Sequence, residues 1–364
     1  MGDYLVVKNL TKNYKKTLGI KDVSFSCNEG DFVVILGPSS AGKTTTVKII
    51  AGVLDQTEGE VYLKGKCINS VEPQKRNISM VFEDYALYPH ISVFENIASP
   101  LRIRNYSENE IKKKVDLIAK LVGIEKHLDK HPSQISGGQK QRTGLARCLI
   151  RDADIYILDE PIAHLDAKLR HRMRGEFKRI HKELGKTMIY VTHDFREALS
   201  LADKVIILDK GCIKQVGTAN EVFNQPVDTF VATLLGDPPM NLVNFSSATI
   251  GNSILELKTE NGESFFVKGI IMNDAVLSEV QLGFRYFTVS LSSEKRDNTL
   301  KGKVYVYEII EGQKAYTISI GRDLVKVLCD RSIDFKLNQE IYITIDSKSI
   351  YLFDKKTSLR IKTK

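Results

Sequence analysis

Apolar positions along the first 235 residues follow two periods in alternation. Residues 4–7 run apolar, and the stretch 22–36 alternates before it ends in the unbroken run Val33-Val-Ile-Leu36, which stops at Gly37. This predicts strands feeding a glycine-containing loop, with a helix from Gly42 onward. Further along, Ile111, Val115, Ile118, Ala119 and Val122 recur at helical spacing with lysines on the opposite face, ahead of a Ser-Gly-Gly turn and a second helical stretch. A helical insert over roughly 90–150 follows from that pattern. Ile155-Tyr-Ile-Leu158 and Met188-Ile-Tyr-Val191 are short apolar runs of the kind that form strands buried on both faces. Strand and helix in alternation imply a mainly parallel α/β core.

Near Leu235 the texture changes. Gly236-Asp-Pro-Pro-Met240 is a cluster of helix and strand breakers, and beyond it lie β-type segments at Phe265–Val267, Phe284–Leu291, Val304–Ile310, Leu324–Leu328, Ile341–Ile345 and Ile350–Phe353. Such spacing predicts a small barrel or sandwich. The length of 364 residues suits two domains, 1–235 and 236–364.

Charge narrows the function. The net charge of +8 is spread thinly: residues 236–364 hold 18 Lys+Arg against 16 Asp+Glu, and residues 1–235 hold 35 against 29. No concentrated basic face is evident, so nucleic acid is not an expected partner. The five cysteines (Cys27, Cys67, Cys148, Cys212, Cys329) are far apart, with no C-x-x-C pair and no histidine at ligand spacing, and read as reduced, mostly buried thiols of a cytosolic protein. No apolar run reaches membrane-spanning length and the N-terminus does not read as a secretory signal, so a membrane role requires a partner.

Three strings carry chemistry. Gly37-Pro38-Ser39-Ser40-Ala41-Gly42-Lys43-Thr44, followed by Thr45, fits G-x-x-x-x-G-K-[ST] between a strand and a helix. Backbone N–H groups in such a loop curl around phosphates, the lysine reaches the β and γ oxygens, and the threonine hydroxyl binds Mg²⁺. Asp159 and Glu160 end an apolar strand; after a phosphate loop they read as a magnesium ligand and a base that polarises the attacking water, although alone they would read as a solvated turn. Ser136-Gly137-Gly138-Gln139 opens a helix with a capping serine and two glycines, a second anion site or an ordinary capped helix.

The string Ile135-Ser-Gly-Gly-Gln-Lys-Gln-Arg142 resembles the signature of ABC ATPases, and the remaining elements stand in that family's order. The resemblance implies an α/β P-loop ABC ATPase domain with a helical subdomain, then a small all-β, OB-like accessory domain. It implies that ATP is the substrate and Mg²⁺ the cofactor, and that the Ser136 turn covers the γ-phosphate held by an opposite subunit. By the same resemblance Tyr14 stacks on adenine, Asp166 lies in the loop between the two sites, and His193 contacts the γ-phosphate. The segment Val81–His90 resembles the loop that senses the γ-phosphate and contacts membrane subunits, with Glu83 in place of the family's usual glutamine. A carboxylate there can still ligand Mg²⁺, or raise the pKa of Glu160.

Leu235-Gly-Asp-Pro-Pro-Met-Asn241, Leu282-Gly-Phe-Arg285 and Leu352-Phe-Asp354 resemble the tail of maltose- and glycerol-phosphate-type importer ATPases. The implied function is ATP-driven import of a sugar, polyol or glycerol derivative at the cytoplasmic face of the cell membrane. The implied partners are transmembrane permease subunits, a second ATP-binding chain, identical or related, and indirectly an extracellular solute-binding protein. Import of a polyamine, metal or anion, and a soluble non-transport ABC ATPase, are the alternatives.

Overall fold

The computed structural model describes residues 3–15, 17–82, 84–163, 165–251, 254–259, 264–268, 279–310, 312–330 and 332–361. Its packing divides the chain into two compact units, residues 1–222 and 223–364.

The first unit contains two sheets. An antiparallel sheet of order β2-β1-β4-β5 is formed by β1 (Leu5–Tyr14), β2 (Thr17–Cys27), β4 (Glu58–Leu63) and β5 (Lys66–Cys67). The second sheet, of order β10-β9-β3-β8-β7-β6, uses β3 (Phe32–Leu36), β6 (Ile78–Val81), β7 (Ile155–Asp159), β8 (Thr187–Thr192), β9 (Lys204–Asp209) and β10 (Cys212–Gly217). It is parallel except for β10. Val33, Ile35, Ile155, Ile157, Ile189, Val191, Ile206 and Leu208 share one buried cluster with Val47 and Ile49 of α1 (Lys43–Ile50) and with Leu5, Val7 and Leu10 of β1. On the other face Phe32 and Tyr190 meet His181 and Phe177 of α5 (Ala167–Leu184). Both faces of the parallel sheet are therefore covered, which is why its strands read as unbroken apolar runs.

The helical insert comprises α2 (Val93–Arg102), α3 (Glu108–Val122) and α4 (Gly137–Leu149). The five apolar positions read from α3's periodicity are its buried residues. Ser107 and Glu110 form its capping box, and Gly123 ends it at φ 70°, a left-handed backbone that glycine adopts without a Cβ clash. Arg142 of α4 donates to the carbonyls of Val122 and Gly123, so α4 satisfies the end of α3. α6 (Phe195–Leu201) follows β8.

The second unit carries a helix at Thr229–Leu234 and then strands. β11 (Asn241–Phe245), β15 (Val280–Phe284) and β21 (Ile350–Asp354) form one antiparallel sheet; β12 (Ser247–Gly251), β13 (Ile254–Lys258) and β14 (Ser264–Lys268) form another. The third has the order β16-β20-β17-β18-β19, from β16 (Val289–Ser292), β17 (Leu300–Ile310), β18 (Gln313–Ile320), β19 (Asp323–Cys329) and β20 (Glu340–Ile345). Asn241 exchanges two hydrogen bonds of 2.8 Å with the Lys326 backbone and so links β11 to β19. The stretch Phe284–Leu291, expected as one strand, is instead the end of β15, a turn and the start of β16. The turn forms because Arg285 is buried and donates to the carbonyls of Phe223, Ala232 and Leu235, while its own carbonyl accepts from the Thr288 N–H.

All five cysteines are free. Cys27, Cys148 and Cys329 are buried, Cys212 is half-buried, and Cys67 is exposed. Burial pushes the Cys27 thiol up to about 12 and those of Cys148 and Cys329 up to about 11, far from reactive thiolates. Among the described residues no helix is long and apolar enough to cross a membrane.

One side chain organises the loop before α2. Asn96 is fully buried; it accepts from the Tyr88 N–H at 2.8 Å and donates to the carbonyls of Tyr88, Ile91 and Ser92 at 3.0, 3.2 and 3.0 Å. Asn96→Ala removes all four bonds and leaves the Tyr88 N–H and the Tyr88 and Ile91 carbonyls without this buried partner. It should lower stability by about 1–3 kcal/mol, read as a lower urea midpoint. An unchanged midpoint would mean that the segment 88–92 is held without Asn96.

Candidate functional site

The loop between β3 and α1 is fixed from both sides. Gly42 stands at φ 97°, and a Cβ there would lie 2.5 Å from Ile20 Cγ2 and 2.9 Å from the Gly19 carbonyl, so β2 approaches too closely for any side chain. Opposite, the Gly211 N–H donates to the Ala41 carbonyl at 3.0 Å. Ser40 takes a left-handed φ of 66°, Ser39 and Ser40 are exposed, and Ala41 is buried. The loop curls around its own lysine. The Lys43 ammonium, on a side chain only 5% exposed, donates to the Gly37 and Pro38 carbonyls at 3.0 Å each and lies 3.5 Å from Glu160 Oε1. At the first turn of α1 the Thr44 hydroxyl donates to Asp159 Oδ1 at 3.1 Å.

Glu160 follows the last residue of β7 at φ 48°, a left-handed conformation unusual outside glycine. Its N–H donates to the Val191 carbonyl at 3.0 Å, which ties it to β8, and Oε2 accepts from His193 Nδ1 at 2.9 Å. A carboxylate only accepts, so Nδ1 carries the proton in this pair. Lys43, Thr44, Asp159, Glu160 and His193 thus form one connected cluster at the C-terminal edge of the parallel sheet, where open α/β folds place their ligands.

Tyr14 lies beside this cluster. The residue is 44% exposed, its hydroxyl is 3.5 Å from Thr45 Oγ1, and it lines a cavity of about 240 Å³ with Leu18, Gly19 and the loop residues Ser40 and Lys43. Gly19 makes room for the ring, since a Cβ there would meet Tyr14 Cε2 at 2.7 Å. An exposed aromatic face beside a phosphate cradle can stack on a base.

The Ser136-Gly137-Gly138-Gln139 turn caps α4. Ser136 Oγ accepts from the Gln139 N–H at 3.4 Å, Gln139 Oε1 accepts from the Ser136 N–H at 2.8 Å, and apart from its chain neighbours and its own helix backbone nothing lies within 4 Å of where a Gly137 Cβ would stand. Among the described residues no hydrogen bond or ion pair joins this turn to the phosphate loop. Asp166 is exposed ahead of α5, its carbonyl accepting from the Arg170 N–H at 2.9 Å. Glu83 lies outside the described residues, as does His164 between Glu160 and Asp166.

Two residues escaped the sequence reading. Gln141 is buried and its Nε2 donates to the carbonyl of Pro161, which fixes the backbone after Glu160. It shares α4's buried face with Leu145 and Cys148 at helical spacing, and a glutamine in that row is the signal that could have marked it. Glu197, buried in the first turn of α6, is the other.

Residues 20–163 match the sequence family described as ABC transporter. The chain is 37% identical to the maltose/maltodextrin import ATP-binding protein MalK of Aliivibrio fischeri, over 96% of this chain and 95% of the relative. It is 37% identical to the sulfoquinovosyl glycerol transport ATP-binding protein SmoE of Agrobacterium fabrum (98% of each chain) and 34% identical to the oligosaccharides import ATP-binding protein MsmX of Bacillus subtilis (98% and 99%). Among solved structures it is similar to the dimeric bacterial ABC transporter cassette MJ0796, with a TM-score of 0.56 and 32% identity over 59% of this chain and 98% of that one. A post-hydrolysis dimer of the same cassette, bound to ADP and Pi, matches with the same values.

The geometry at Gly42 sets a direct test. Gly42→Ala pushes a methyl group into Ile20 and the Gly19 carbonyl, which distorts the cradle; nucleotide affinity should fall at least about tenfold, roughly 1.4 kcal/mol, in an equilibrium titration. Parent-like affinity would show that the loop binds without this conformation.

Proposed function

This chain belongs to the family of ATP-binding proteins of ABC transporters, and on that premise we propose that the cluster of Lys43, Thr44, Asp159, Glu160 and His193 hydrolyses ATP to drive import of a sugar, polyol or glycerol derivative. The observation that carries the reading is the position of Glu160, held between the Lys43 ammonium and the His193 imidazole beside the phosphate loop. In that place its carboxylate orients and polarises the attacking water, Lys43 and the loop N–H groups of Gly37–Thr45 bind the β- and γ-phosphates, and His193 contacts the γ-phosphate. Tyr14 stacks on the adenine.

Two hard oxygen donors, the Thr44 hydroxyl and the Asp159 carboxylate, converge at 3.1 Å, a donor set that suits Mg²⁺. That ion is commonly held by one or two protein oxygens, with waters and substrate phosphates completing its shell. Among the described residues no group of three or more His, Cys, Asp or Glu gathers as a metal site, in keeping with such a sparse protein share. When bound, Mg²⁺ would neutralise charge on the β- and γ-phosphates; Glu83 is a further candidate ligand.

The names of the relatives, which specify maltose, oligosaccharide and sulfoquinovosyl glycerol transport, support a carbohydrate or polyol as the solute. The proposed arrangement is a peripheral subunit on the cytoplasmic face of the membrane, docked on permease subunits that an external binding protein supplies. Residues 1–235 form its ATP-binding part, and residues 236–364 an OB-like accessory domain. The exposed Ser136–Gln139 turn, with its capped helix N-terminus, covers the γ-phosphate in a second ATP-binding chain, identical or related, and Asp166 lies between the two sites.

Glu160→Gln should retain ATP binding and lose about 10²–10⁴-fold in turnover; undiminished phosphate release would remove Glu160 from the mechanism. Ser136→Arg leaves the chain's own phosphate loop untouched and blocks the site it completes in its partner. Nucleotide binding by the separate monomer should stay near the parent value while hydrolysis is lost, and equal loss of monomer binding would argue against composite sites.

A further inference from the structure

The His193 turn is supported by a buried acid that the proposed chemistry does not use. Glu197 sits in the first turn of α6 and is only 3% exposed. Its side chain points back into the sheet, where Oε2 accepts from Tyr190 Oη at 2.9 Å and from Thr192 Oγ1 at 2.6 Å. The Thr192 hydroxyl, its proton committed to Glu197, accepts in turn from the Asp194 N–H at 3.0 Å. The residues on both sides of His193 are thus held through one carboxylate oxygen, while the imidazole between them reaches Glu160 Oε2 at 2.9 Å.

This placement is costly. Burial raises the pKa of the Glu197 carboxyl, opposed by the two hydroxyl donors, and burial raises that of the Tyr190 hydroxyl well above its usual value. Among the described residues no ion pair includes Glu197, so nothing neutralises it at contact distance; the charge of Arg174 acts from further away. A glutamate serving only the helix dipole would face solvent, where it need not be desolvated. An apolar residue would fill the same space without that cost, but it would offer the two hydroxyls no acceptor.

We propose that Glu197 is a positioning residue: through Thr192 it fixes the turn that presents His193 to Glu160 and the γ-phosphate. The inference rests on the role of His193 proposed above. Because the phosphate loop lies on other elements, loss of Glu197 should separate hydrolysis from binding.

The test compares Glu197→Ala, Glu197→Gln and Thr192→Val. Glu197→Ala should bind ATP within about threefold of the parent while kcat falls on the order of 10- to 100-fold, the scale of a small misplacement of a reacting group. Thr192→Val keeps the acid but cuts its link to Asp194 and should fall likewise. Glu197→Gln, whose carbonyl oxygen can accept both hydroxyls, should recover at least about a third of the parent kcat. A purely structural role would lower the melting temperature of all three variants without this kcat-against-binding split or the rescue by glutamine.

The His193 ring ¹⁵N resonances provide a readout that needs no turnover. They should move in Glu197→Ala and Thr192→Val and stay near the parent position in Glu197→Gln. Unmoved resonances in Glu197→Ala, or parent-like kcat in Glu197→Ala or Thr192→Val, would overturn the inference. If Glu197→Ala does not fold, Thr192→Val decides on the same criteria. A parent chain that never hydrolyses ATP would instead overturn the proposed function, and the resonances would still decide this point.

Discussion

Parallel pairing of β8 with β3 on one side and β7 on the other is the constraint on which the site depends. The register sets Leu36 beside Thr192 and Asp159 beside Val191, so the next residue of each strand, Gly37, His193 and Glu160, emerges at one edge. Three segments far apart in sequence thereby meet within hydrogen-bonding distance. Side chains alternate along a strand, so a one-residue slip of β8 would exchange its two buried faces and carry His193 out of line with Glu160. The apolar runs on both faces of the sheet hold that register.

What the packing holds in place is costly chemistry. The Lys43 ammonium, the Asp159 carboxylate and the Glu197 carboxyl are all withdrawn from water. Glu160 and Ser40 adopt left-handed backbone conformations that cost about 1–3 kcal/mol each for residues other than glycine. Four of these burdens have a named support: the Gly37 and Pro38 carbonyls for Lys43, Thr44 for Asp159, the Tyr190 and Thr192 hydroxyls for Glu197, and the Val191 carbonyl and Gln141 for the backbone around Glu160. Groups fixed in this way need little rearrangement to meet charge that develops on a transferring phosphoryl group.

Much of the first unit could be read from local pattern. The strand ending at Leu36, the buried face of α3 and the strand ending at Asp159 follow from apolar periodicity alone, and the phosphate loop from its glycines and lysine. The partnership of Lys43, Glu160 and His193 could not be read that way, because it is created by strand order, which periodicity does not encode; motif order supplied it by resemblance. Gln141 and Glu197 act through side chains turned inward from helices, and polar residues in amphipathic stretches read by default as solvated. Beyond residue 240 the strands Val304–Ile310, Leu324–Leu328 and Ile341–Ile345 lie within observed ones, but β-type residues running on from Phe284 to Leu291 concealed the turn at Arg285. That turn is specified by hydrogen bonds to distant carbonyls rather than by a glycine or proline of its own.

The central claim is that the edge formed by β3, β8 and β7 is a hydrolytic site and not a nucleotide-binding surface alone. A single-turnover measurement with the purified chain and its partner subunits in excess over MgATP tests it most directly, following bound nucleotide and released phosphate in the same sample. One phosphate should be released for each ATP bound, with ADP left on the protein. Stoichiometric ATP binding with no phosphate release would contradict it.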